Sequence, residues 1–111
     1  MNKTNPEFLN GVPELLVLQL LARRDKYGYE IVKEILARSE EQFRFGEGCI
    51  YPCLHGLEKG RLVTSRRVDT GGRSRVYYRL TDKGRKRLAS MTAEWKRVAG
   101  GVALVLGGQH A

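Results

Sequence analysis

The stretch Leu62-Val-Thr-Ser-Arg-Arg-Val68, Asp69-Thr-Gly-Gly-Arg73, Ser74-Arg-Val-Tyr-Tyr-Arg-Leu80 breaks the helical pattern on both sides of it. Its two flanks are rich in Val, Thr and Tyr, side chains that suit a pleated surface. Gly71-Gly72 between them is a hairpin turn signal. One short hairpin is not stable alone in water, so it must pack on neighbouring helices.

Three helices are expected before it. Pro13-Glu14 suits a helix start, and the run from Leu15 to Ala22 is apolar nearly all round. Such a helix must be buried on most sides. Arg23-Arg24-Asp25-Lys26 is expected to end it in water. A second helix is expected over Tyr27 to Ser39, with Ile31, Val32, Ile35 and Leu36 as its apolar stripe. A third is expected from about Glu47 to Lys59, with Gly60 as a left-handed stop. At about 100° per residue, Ile50, Leu54 and Leu57 share one face, and Gly48, Pro52, His55 and Lys59 lie opposite. Pro52 removes a backbone bond and is tolerable only near the first turn, which predicts a start close to Gly48.

After the hairpin, Thr81-Asp82 is an N-cap candidate followed by an acid. Leu88, Met91, Trp95, Val98, Val102 and Val105 then recur in steps of 3, 4, 3, 4 and 3. That is a heptad-type seam, and it calls for a partner surface such as a second copy of the chain. Gly100-Gly101 falls inside it, at a cost of roughly 1 kcal/mol per Gly.

Length and composition bound the rest. The 111 residues suggest one domain, and 41% apolar with 29% charged residues is an ordinary globular balance. No apolar run approaches the ~20 residues of a membrane span, and the start lacks an apolar secretory region, so a cytoplasmic protein without membrane contact is expected. Residues 61–87 hold ten Lys/Arg and two acids, which accounts for the whole net charge of +8. So concentrated a field suits a polyanion, against the plainer reading of a solvated face.

Helix, helix, helix, hairpin is the order of a winged helix-turn-helix, whose third helix would lie in a DNA major groove. The fold expected is mainly α with a small β-hairpin: the winged helix-turn-helix over 10–80 and a C-terminal dimerisation helix over 82–106. The groove-facing side of the third helix is sparse (Gly48, Pro52, His55, Gly56, Lys59). Phosphate contacts and shape readout are therefore expected to carry much of the affinity. Basic wing side chains such as Arg66, Arg73 and Arg75 would dominate its salt dependence.

The strings Tyr27-Gly-Tyr-Glu-Ile31, Gly48-Cys-Ile-Tyr-Pro-Cys-Leu54, Leu57-Glu-Lys-Gly60, Gly72-Arg-Ser-Arg-Val-Tyr-Tyr-Arg-Leu80 and Thr81-Asp-Lys-Gly84 together resemble the PadR family of transcriptional regulators. The resemblance runs from about residue 10 to 98 and implies a homodimeric repressor of the short subgroup. It places Tyr29 and Tyr51 near the DNA backbone, Gly72, Arg73 and Arg75 on the wing, and Cys49 where a small hydroxyl residue is common at the DNA. It also places Trp95 on the dimerising helix, where an aromatic lines an effector pocket in some members. Phe8 and Met91 are expected beside it, facing a small aromatic effector.

Plainer readings stand beside these. Tyr29 and Tyr51 can each be an edge aromatic with its hydroxyl in water. Arg85, Lys86 and Arg87 read as a solvated helix start. Cys49 and Cys53 read as a half-exposed and a buried small residue rather than a redox pair, and no metal or cofactor is expected. No catalytic constellation is present, so an enzyme is not expected. The competing function is a nucleic-acid-binding or protein-interaction module without sequence choice or effector.

Overall fold

The computed structural model describes residues 11–107. Its elements are α1 (Val12–Arg23), β1 (Lys26–Tyr27), α2 (Gly28–Arg38), α3 (Glu47–Lys59), β2 (Val63–Thr70), β3 (Arg73–Leu80) and α4 (Asp82–Val105). This is the winged helix-turn-helix order, with a long helix appended.

The apolar stripes meet in one core. α1 contributes Val17, Leu18, Leu20 and Leu21, α2 Ile31 and Ile35, α3 Ile50, Leu54 and Leu57. The hairpin closes it with Val63, Tyr78 and Leu80, which share one face of the β2–β3 pair. The near-continuous apolar character of α1 is thus explained, since α3, α4 and the sheet all pack against it. Gly71 and Gly72 take φ 54° and 81°, and a two-residue turn with both centres at positive φ matches the strand twist.

Four local expectations are corrected. Lys26 does not end α1 in water: it is 2% exposed, and its Nζ sits 2.9 Å from Glu34 Oε1. The cause is β1, a two-residue strand too short to leave a periodic pattern. It pairs with β3 through Lys26↔Tyr78 and Tyr27↔Tyr77, giving a three-stranded sheet in the order β1-β3-β2. Tyr27 accordingly precedes α2, and Glu30 Oε1 accepts its N–H at 3.3 Å, a carboxylate capping the helix start.

Pro52 lies beyond the first turn of α3, which starts at Glu47. The missing N–H would have bonded the carbonyl of Gly48, an exposed residue at the start of the helix. Gly60 is not left-handed (φ −81°); the positive φ falls on Arg61 at 64°. Leu62 N–H donates to Leu57 O and Arg61 N–H to Glu58 O, both at 2.9 Å, so the stop has the Schellman pattern with Arg in the usual glycine place.

Thr81 caps α4, its Oγ1 accepting the Gly84 N–H at 3.0 Å. A Cβ on Gly84 would strike the Leu62 carbonyl, so this close approach of α4 to the hairpin base requires glycine. The helix runs unbroken through Gly100-Gly101. Leu88 and Met91 pack against the core, whereas Trp95, Val98, Val102 and Val105 are exposed.

Candidate nucleic-acid interface

A cleft of about 590 Å³ separates the start of α2, one side of α3 and the tip of the hairpin. Tyr29 and Lys33 line it from α2, Tyr51 and His55 from α3, and Arg73 and Arg75 from β3. Five residues singled out in the sequence therefore meet at one place.

Local packing fixes their positions. Gly28 is buried beneath Tyr51, and a Cβ there would clash with the hydroxyl end of the tyrosine ring. The lack of a side chain at 28 is thus what seats Tyr51 over the start of α2. Tyr51 and His55 are one turn apart with ring centroids 6.4 Å from each other. Lys33 Nζ stands 5.5 Å over the Tyr29 ring, one turn further along α2. The Arg75 guanidinium lies 4.4 Å over the Tyr27 ring, which in turn meets Tyr77 edge-on at 5.4 Å. Ser65 Oγ donates to Glu58 Oε2 at 2.6 Å and pins β2 to α3. Tyr78 is buried behind the cleft, and burial, with Glu58 and Tyr51 adding to it, pushes its hydroxyl pKa up.

The remaining candidates lie outside the cleft. Gly48, Pro52 and Lys59 are exposed on the outward face of α3, where the space beyond Gly48 is open. Cys49 is exposed at the opposite edge of that face. Cys53 is half-buried, and its thiol is pushed up to about 11 by burial, with Glu14 and Cys49 adding to it. Among the described residues no three His, Cys, Asp or Glu cluster as metal ligands, and no helix is long and apolar enough to cross a membrane. Gly72 forms the turn. Arg66 stands on the outer face of the sheet, 2.6 Å from Asp25 Oδ2. Asp25 also takes Arg79 at 3.1 Å. Arg73 and Arg75 have no carboxylate within salt-bridge distance among the described residues.

Sequence reading missed Lys33 and Tyr27 in this arrangement. Lys33 had a signal, since four residues on from Tyr29 is the same face of a helix. Tyr27 had none, because its place depends on β1.

A second hollow, of about 510 Å³, lies between the start of α1 and α4, lined by Leu15, Met91, Trp95 and Val98 among others. Arg87 Nε bonds Glu14 Oε2 at 3.0 Å beside it and ties α4 to α1. Phe8 lies outside the described residues.

Residues 17–90 match the Transcriptional regulator PadR-like family. A transcriptional regulator of Mycobacterium tuberculosis is 32% identical, over 93% of this chain and 91% of its own length. The crystal structure of a PadR-like transcriptional regulator from Bacillus cereus superposes with a TM-score of 0.80 at 30% identity, covering 93% of this chain and 99% of that one. Bacillus subtilis PadR, solved in complex with operator DNA, gives a TM-score of 0.66 at 25% identity over 71% of this chain and 45% of that one. The match over most of the chain, on a four-helix winged fold of the same order, makes this chain a member of the PadR-like family of transcriptional regulators.

Proposed function

We propose that this chain is a sequence-specific DNA-binding repressor that acts as a homodimer and is released by a small aromatic or hydrophobic effector at the dimer interface. The observation that carries the DNA reading is the cleft between α2, α3 and the wing tip. It joins tyrosine hydroxyls, a lysine and a histidine to two arginines that have no carboxylate partner among the described residues. Phosphates are the polyanion such a set suits. Bacillus subtilis PadR, a relative of the same fold, is bound to operator DNA.

Each part then has a task. Tyr29, Tyr51, Arg73 and Arg75 contact the backbone, with Gly72 shaping the tip. Gly48, Cys49, Pro52, His55 and Lys59 face the groove, where small side chains allow close approach. Leu88, Met91, Trp95, Val98, Val102 and Val105 pair with a second copy, which spaces two recognition helices along the duplex. Met91 and Trp95 form the effector wall. A ligand there acts by favouring a dimer geometry in which the two helices no longer match successive grooves.

The test is fluorescence anisotropy on the DNA upstream of the chain's own gene, with scrambled competitor and a salt series. Binding that survives scrambled competitor is the expected result. Equal competition would leave a basic module without sequence choice. Trp95 is the sole tryptophan, so its emission reports the effector site without interference. Aromatic ligands are expected to shift it, and a flat response across a broad panel would remove the effector from the account.

A further inference from the structure

We propose that Asp25 is a positioning residue that stands in for a phosphate. It occupies two guanidinium groups on the strands of the wing, so that neither Arg66 nor Arg79 is free to take a phosphate. The inference rests on the DNA-binding reading above and deepens it. Asp25 lies in the connection between α1 and β1, with its side chain mostly shielded from water. Its Oδ2 is 2.6 Å from Arg66 Nη1 and 3.1 Å from Arg79 Nε. These partners are 41 and 54 residues away in sequence, on two different strands. Arg66 is further held 5.7 Å over the Tyr77 ring.

The wing arginines therefore differ in their partners, and Arg67 on β2 donates to Ser74 Oγ at 2.9 Å. At the tip, Arg73 and Arg75 lack a carboxylate partner among the described residues. Arg66, midway along β2, and Arg79, near the end of β3, already share one. The Asp25 carboxylate is mostly shielded, so its charge is screened less than that of a fully exposed group. Asp25 thus withdraws two of the ten cations of residues 61–87 from the free positive field. Each phosphate that a cation neutralises adds about 0.9 to the slope of log affinity against log salt. Asp25 consequently sets the number of phosphates counted.

The experiment uses the full chain and a fluorescein-labelled duplex of scrambled sequence, titrated from about 50 to 200 mM salt. Asp25→Asn is expected to steepen the slope by about 0.9 for each arginine released, up to about 1.8. The larger value is an extra tenfold fall in affinity over that salt range. Arg79→Gln is expected to leave the wild-type slope unchanged. In the Asp25→Asn background the same change is expected to remove about 0.9. A general gain of positive charge would not produce that non-additivity. An unchanged slope in Asp25→Asn, or a slope lowered by Arg79→Gln alone, overturns the proposal. The second variant decides the matter if the first fails to fold. Failure of the wild-type chain to bind any duplex would instead overturn the DNA reading, and this inference with it.

Discussion

From Val17 to Leu80 the large apolar side chains turn inward; from Trp95 to Leu106 they turn outward. Among the described residues, six of the seven exposed large apolar side chains belong to that second stretch, the exception being Tyr29 in the cleft. Leu104, Val105 and Leu106 are 72%, 87% and 81% exposed, while Leu54 and Ile50 are fully buried. Both regions carry a helical apolar stripe, so the difference is not one of pattern. The first stripe finds its partner within the chain. The second extends past the body and finds none among the described residues, and a globular chain rarely leaves a contiguous apolar row bare. A complete core beside an unfinished seam is what a protein built to pair through its last helix would present.

The largest effect expected is inside the core. Leu54→Ala should cost about 2–5 kcal/mol of folding stability, read by urea denaturation. A cost no greater than that of Val102→Ala would erase the contrast between the two regions. Next comes the seam. Val98→Asp with Val102→Asp should leave the far-UV helix signal near wild type while weakening self-association by about 100-fold or more, since a carboxylate buried there has no partner. Sedimentation equilibrium measures this, and loss of fold in place of loss of assembly would show that the seam belongs to the core.

A smaller effect sharpens the contrast within the wing. Arg73→Ala with Arg75→Ala should lower the salt slope by about 1.8 on any duplex, the loss of the two phosphate contacts proposed for them. The smallest effect concerns the two cysteines. Iodoacetamide at pH 8 should modify exposed Cys49 first, because burial holds the Cys53 thiol up at about 11 and keeps it protonated. The sign for stability follows. The unfolded thiol ionises near about 8.5, so any stabilisation from the buried neutral form is complete below that pH and is lost as pH rises toward 11. Equal alkylation rates would contradict the burial of Cys53.

Periodicity and turn chemistry carried most of the fold. The stripes on α2 and α3, the Gly71-Gly72 turn and the heptad steps on α4 are all local signals. β1 was invisible because two residues have no period, and with it went the buried Lys26–Glu34 pair and the place of Tyr27. The stop after α3 was read one residue early because glycine is the usual left-handed residue, whereas Arg61 takes that conformation under the hold of two hydrogen bonds. Within the candidate site, Tyr29, Tyr51, His55, Arg73 and Arg75 were legible from the helical wheel, the turn and the family resemblance. The seating of Tyr51 on Gly28 and the clamp of Asp25 on Arg66 and Arg79 were not, since both join residues far apart in the chain.

The central claim is that one half of this molecule reads DNA while the other supplies a second copy. It is tested most directly by the mass of the complex with the DNA upstream of its own gene, measured by native mass spectrometry or sedimentation. The account predicts two 12.6 kDa chains on each duplex, falling to weak single-chain binding when Val98 and Val102 are replaced by Asp. One chain per duplex at full affinity, unchanged by those replacements, would contradict it.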